Sequence, residues 1–178
     1  MFLNILDVVN KILALGVIAS QVFIVLALIY IFLPKKKDIV SNFFGKNGIA
    51  LAFVVALVAT MGSLFYSNYA GFNPCTLCWY QRIFMYPEVV LFGLALWKKR
   101  DEIIDYSLAL SVIGLVISVY HNYIYFKGLH SAVCTSAESC ATPYVSVFGY
   151  VSIPVMAFTA FLLIILLLSF KKYYGKTI

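Results

Sequence analysis

Residues 151–170 read VSIPVMAFTAFLLIILLLSF, twenty positions without one charged side chain. A helix of that length rises about 30 Å, which is the thickness of a bilayer's hydrocarbon core. Four stretches of similar character precede it, at residues 12–33, 49–69, 80–97 and 103–126. Across the 178 residues, 63% are hydrophobic and only 11% are charged. Water-soluble domains are about half apolar and a quarter charged, so these few charges could not cover the apolar surface in water. In hydrocarbon the backbone must satisfy itself, which leaves helices or a closed barrel. The five stretches lack a barrel's alternation of apolar and polar residues. The expected fold is therefore all-α and membrane-integral, a single helical bundle without internal repeats.

The first stretch differs from a cleaved signal peptide. Residues 1–10 carry Asp7 and no basic residue, where a signal peptide would be positive, and the apolar run ends in Lys35, Lys36 and Lys37 without a small-residue cleavage site. It reads as a retained helix. Charge then orients the chain. Lys35, Lys36, Lys37, Lys46, Lys98, Lys99, Arg100, Lys171, Lys172 and Lys176 fall on one side of the alternating spans, and only Lys11, Arg82 and Lys127 on the other. The positive-inside rule places the ten in the cytoplasm, with the N-terminus outside and the C-terminus inside. The net charge of +6 is thus accounted for by topology. A basic face with interleaved base-stacking aromatics, as nucleic-acid binding would require, is absent.

All four cysteines lie in the two loops on the outer side. Cys75 and Cys78 separate the second and third stretches, and Cys134 and Cys140 separate the fourth and fifth. That compartment permits disulfides, whereas cytosolic thiols are held reduced. Pairing by loop, Cys75–Cys78 and Cys134–Cys140, is the economical reading. A disulfide across two intervening residues closes a loop too short to stabilise much. It is well suited to redox chemistry, because one thiolate can attack a mixed disulfide formed by its neighbour. Pro74 favours a helix beginning near Cys75, where free N–H groups and the helix dipole support a thiolate.

Cys78 and Arg82 follow Cys75 by three and seven residues and so share a helix face with it, and the Arg82 guanidinium, one turn from Cys78, could lower that thiol's pKa. The alternative is an arginine that only snorkels to the headgroups. Four cysteines also invite zinc, but the pairs stand far apart and the oxidising side disfavours four stable thiolates. No metal is expected. Glu88, beside Pro87 inside the third stretch, is an intramembrane carboxyl, either a proton relay or a neutral or paired packing group.

The run Cys75-Thr-Leu-Cys78-Trp-Tyr-Gln-Arg82 resembles the signature of the disulfide-bond-formation protein B (DsbB) family, particularly its short BdbC-like branch. His121, thirteen residues before Cys134, and the segment Val147-Phe-Gly-Tyr-Val-Ser-Ile-Pro154 also fit the family pattern. The resemblance covers about residues 47–172. It implies a four-helix transmembrane core at residues 47–178, preceded at residues 1–46 by an additional transmembrane helix and a basic cytoplasmic loop. It further implies a thiol:quinone oxidoreductase that reoxidises a DsbA-like thioredoxin-fold partner and passes electrons to ubiquinone or menaquinone in the cell membrane. In that scheme Cys134 meets the partner, Cys140 is its pair-mate and Cys75 receives electrons from the loop pair. Cys78 is the thiolate against the quinone, Arg82 polarises the ring or stabilises that thiolate, and His121 lines the same site.

Two features depart from the family. The helix at residues 12–33 is extra, and the second pair is closely spaced where the best-known branch spaces it widely, which leaves the order of transfer between loops open. Two alternatives stand beside this reading. One is a vitamin-K-epoxide-reductase-like protein, in which the CxxC follows the loop pair instead of preceding it. The other is a non-enzymatic membrane scaffold with two structural disulfides.

The charge count makes a direct prediction. Membrane-impermeant thiol reagents applied to reduced, intact cells should label cysteines of both loops. Labelling that appears only after the cells are opened would contradict the orientation.

Overall fold

The computed structural model describes residues 2–32, 39–128, 134 and 140–174. Five helices follow one another: α1 (Phe2–Phe32), α2 (Ile39–Leu64), α3 (Thr76–Lys98), α4 (Ile103–Lys127) and α5 (Ile153–Tyr174). Four of them, α1, α2, α4 and α5, are long and apolar enough to cross a membrane. α3 has the length, at 23 residues. Its hydropathy is diluted by Gln81, Arg82 and Glu88, and it packs against α2 and α4. The chain is a multi-pass, all-helical membrane protein, a bundle of four helices with one further helix at its N-terminal end. Large apolar side chains such as Met61, Val90, Val116 and Trp97 are exposed around its outside, where lipid is their solvent.

The helices overrun the apolar stretches. α1 begins at Phe2, well before residue 12, and α2 begins at Ile39, ten residues before residue 49. Hydropathy marks where hydrocarbon ends, but a helix's own hydrogen bonds continue into the headgroups. Lys46 is therefore helical, while Lys35, Lys36, Lys37 and Lys176 lie outside the described residues. At this end of the bundle Lys171 pairs with Asp101 at 3.1 Å and Lys172 with Asp105 at 2.7 Å. A Cβ added to Gly48 would stand 2.8 Å from the Lys171 Cβ. The start of α2, the α3–α4 turn and the end of α5 thus gather in one place. The Lys172–Asp105 pair is exposed and contributes little stability, whereas the Lys171 side chain is only 14% exposed.

α5 is the most deeply buried helix, with Phe161, Ile164 and Leu168 fully enclosed, and it packs against α1, α2 and α4. α3 and α4 meet along a seam of another kind. The buried residues of α4 are Ile104, Ser107, Ser111, Gly114, Ser118, His121 and Ile124, a single stripe of mostly small side chains. Opposite stand Leu77, Gln81, Met85, Glu88, Phe92 and Ala95 of α3. Small residues let helix backbones approach in a membrane, where hydrophobicity alone draws no helix to its neighbour. Gly114 is required by the packing of α5 on α4, because an added Cβ would run into the Phe161 ring of α5. Two polar contacts bridge the seam, Gln81 Nε2 donating to Ser118 Oγ (3.2 Å) and Ser111 Oγ donating to Glu88 Oε1 (2.6 Å). Glu88 is fully buried, and its Oε2 has no partner among the described residues.

At the opposite end from the lysines, α2 finishes in a π-helical turn, Phe65–Tyr69. Gly71, with φ of 70°, reverses the chain. Asn73 and Pro74 then lead to Cys75, which is extended and caps the start of α3. The helix thus begins one residue after the first cysteine.

Candidate active site

Cys75 occupies the N-cap of α3, and its carbonyl accepts from Trp79 N–H at 3.1 Å, closing the first turn. Its side chain makes no capping hydrogen bond. Cys78 lies three residues on, and its Sγ is 3.5 Å from the Cys75 Sγ. The two stand as thiols, while Cys134 and Cys140 are joined in a disulfide. His121, one helical turn below the end of the α4 seam, brings Nε2 to 3.7 Å from the Cys75 Sγ. The Cys75 sulfur, the Cys140 sulfur and a ring nitrogen of His121 all lie within 4.8 Å of one another. Cys140 commits its sulfur to a disulfide, so this trio is a thiol, an imidazole and a disulfide sulfur, unlike a set of metal ligands.

Burial grades along this row. Cys134 is partly exposed, Cys140 and Cys75 are buried, and Cys78 is partly exposed again toward a cavity of about 420 Å³. Hydrogen bonding with Cys78, helped by the hydrogen bond and charge of His121, outweighs the effect of burial and holds the Cys75 thiol well below its ordinary range. The helix N-terminus beside Cys75 also favours a thiolate there.

Arg82 reaches from α3 to α2. Its Nε donates to Ser63 Oγ (2.9 Å), an Nη donates to the Ser63 carbonyl (3.1 Å), and its guanidinium lies 5.2 Å from the Trp79 ring centroid. Tyr86 adds its hydroxyl to Ser63 at 3.3 Å. Among the described residues no carboxylate pairs with Arg82. It is thus a fixed cation on the cavity wall, held by hydrogen bonds that leave its charge uncompensated. Snorkelling does not require that anchorage.

The cavity is lined from all five helices, and Cys75, Cys78, Arg82, His121 and Cys140 all face it. Its remaining wall is largely aliphatic, including Val54, Val58, Met85 and Ile153. Its volume falls among small-molecule sites, roughly 300–1,000 Å³. Helical spacing groups Cys75, Cys78 and Arg82, and the family resemblance adds His121 and the second cysteine pair, but Ser63 and the contribution of α1 escape both. Ser63 is one small polar residue in an apolar run, and nothing in the linear pattern ties it to Arg82.

Residues 46–170 match the family described as Disulfide bond formation protein DsbB. Among its relatives, the chain is 40% identical over 126 residues to Disulfide bond formation protein C of Bacillus subtilis, covering 68% of this chain and 89% of that one. It is 40% identical over 128 residues to Probable disulfide formation protein C 2 of Bacillus anthracis, covering 71% and 91%. It is 42% identical over 125 residues to the Probable disulfide formation protein of Oceanobacillus iheyensis, covering 68% and 86%. No solved structure matches the chain.

The contact with His121 sets the reactivity expected of Cys75. Thiolate reacts and thiol does not, so a depressed pKa keeps Cys75 reactive into mildly acidic solution. In His121→Phe the titration should move upward, and alkylation of Cys75 at mildly acidic pH should slow by about tenfold, one pKa unit. Peptide-resolved alkylation against pH measures this, and an unmoved midpoint would contradict the role given to His121.

Proposed function

This chain belongs to the DsbB family of disulfide bond formation proteins, and on that premise we propose that it is a membrane thiol:quinone oxidoreductase. It reoxidises a DsbA-like, thioredoxin-fold dithiol on the outer side of the cell membrane and delivers the electrons to a membrane quinone. The N-terminus lies outside, the C-terminus in the cytoplasm, and both cysteine loops face outward. The observation that carries this reading is the row of sulfurs Cys134, Cys140, Cys75 and Cys78, accessible at its first member and opening on an apolar cavity at its last.

The chemistry follows from that order. A partner thiolate attacks Cys134, the accessible sulfur of the disulfide; a partner–Cys134 bond forms, and Cys140 leaves as thiolate. With the first pair oxidised, Cys140 attacks Cys75, its neighbour, and Cys78 leaves as thiolate. The partner's second thiol resolves the bond to Cys134, and the Cys134 thiolate displaces Cys75 from Cys140, restoring the loop disulfide. The net change is one disulfide gained by the partner and one lost by Cys75–Cys78, with two electrons and two protons now on the first pair.

A bound quinone, ubiquinone or menaquinone, supplies the acceptor for those two electrons and two protons. Cys78 and Arg82 would hold its ring, with His121 lining the same chamber. The role of this chain is to present Cys78 at the cavity, to keep an uncompensated guanidinium beside it and to exclude water with aliphatic side chains. His121 steadies the charge on Cys75 while the pair awaits oxidation.

The test uses purified protein, a reduced thioredoxin-fold protein and a quinone. Wild-type protein should reduce quinone only when the dithiol is present. Arg82→Met should insert normally, because the cytoplasmic lysines remain, yet lose at least about tenfold in quinone turnover, or about 1.4 kcal/mol. Arg82→Lys should fall between the two, keeping charge without the planar fork. Wild-type turnover in Arg82→Met would remove Arg82 from the site.

A further inference from the structure

α1 lies entirely outside the matched residues 46–170, yet it is docked on the bundle with some specificity. In hydrocarbon an additional apolar helix gains little by leaving lipid for protein, so polar and close-packed contacts decide where it sits. α1 has two such clamps. Near its outer end the Tyr66 hydroxyl donates to Asn10 Oδ1 at 2.8 Å. Eleven residues on, Gln21 Nε2 donates to Thr159 Oγ1 at 3.2 Å, and the Tyr150 hydroxyl donates to Gln21 Oε1 at 2.9 Å. Eleven residues are about three turns, so both clamps lie on one face about 16 Å apart.

Between the clamps Ala14 is fully buried, while the flank of the helix that carries Gly16 is exposed. Leu13 still reaches α2, since a Cβ on Gly62 would meet its methyl groups at 3.6 Å, and Gly62 adjoins the Ser63 that anchors Arg82. One turn further, nothing lies within 4 Å of where a Cβ of Gly16 would stand. That open space belongs to the same cavity as Cys78 and Arg82. Its walls here are Gly16 and Val17 of α1 and Val58 and Ala59 of α2. The nearby Ser20 hydroxyl donates to the Gly16 carbonyl at 2.8 Å and so offers the cavity little polarity. The chamber is polar beside Arg82 and aliphatic beside Gly16.

We propose that α1 is a ligand-binding element: its face between Asn10 and Gln21 walls the chamber, and the gap at Gly16 receives the isoprenoid chain of the quinone. This rests on the quinone reading above and extends it to a helix outside the family match. A simple anchor would need neither an asparagine and a glutamine aimed at the bundle nor a vacant glycine between them.

The test is made on the full-length protein in two arms. In the first, a quinone with a photoreactive group on its isoprenoid chain is cross-linked to wild-type protein, and the labelled peptides are mapped. Label on α1 around Gly16 supports the proposal; label confined to the other helices overturns it. In the second, equilibrium binding compares Gly16→Trp with Leu15→Trp, whose parent side chain is 58% exposed and does not line the cavity. Gly16→Trp should weaken binding of the tailed quinone by about tenfold or more, leaving a tail-less benzoquinone within about threefold. Leu15→Trp should change neither. Wild-type affinity for the tailed quinone in Gly16→Trp would overturn the proposal. Should wild-type protein neither bind nor reduce any quinone, the underlying function fails first, and the two failures are thereby told apart.

Discussion

Side chains no larger than serine along the inner stripe of α4 let α3 approach closely, and the sulfur chemistry depends on that approach. Ser107, Ser111, Gly114 and Ser118 leave room for the α3 backbone, while the missing side chain of Gly114 admits the Phe161 ring of α5. With the helices drawn together, His121 meets Cys75 at the outer end of the seam, and the loop after α4 carries Cys140 to the same spot. Larger residues on the stripe would separate the helices and lengthen the Cys75–His121 contact before touching any cysteine. The seam also explains how a buried Glu88 is tolerated, since Ser111 donates to it in a setting that offers little water.

Two ends of one helix turn then divide the work. Cys75, at the N-cap, has the free backbone donors and the imidazole, which suit a thiol that exchanges with Cys140. Cys78, inside the first turn, faces the cavity together with Arg82. Because Arg82 is tethered to Ser63 by two hydrogen bonds, its charge is positioned in advance and little is lost in orienting it when a ligand enters. The aliphatic remainder of the chamber keeps the local dielectric low, which strengthens that charge.

Much of this was legible in the linear chain. Spans follow from runs such as residues 151–170, because hydrocarbon thickness is a length criterion a sequence expresses directly. Cys75, Cys78 and Arg82 share a face by helical spacing, and the order of the CxxC ahead of the second pair distinguishes DsbB from a vitamin-K-epoxide-reductase-like arrangement. Other features are three-dimensional and leave no periodic trace. The ends of α1 and α2 outrun the apolar stretches because hydrogen bonding continues past the hydrocarbon. α3 is less apolar than its neighbours because protein surrounds Gln81 and Glu88. The tether to Ser63, the contact of His121 with Cys75 and the vacancy at Gly16 depend on which residues of distant helices meet.

The central claim is that the two cysteine pairs communicate through Cys140 and Cys75. A Cys78→Ala, Cys134→Ala variant leaves only those two sulfurs, and its disulfide content after mild oxidation can be read by mass spectrometry of the unreduced peptides. The account predicts an intramolecular Cys75–Cys140 bond in most molecules. Two free thiols, or bonds formed only between molecules, would contradict it.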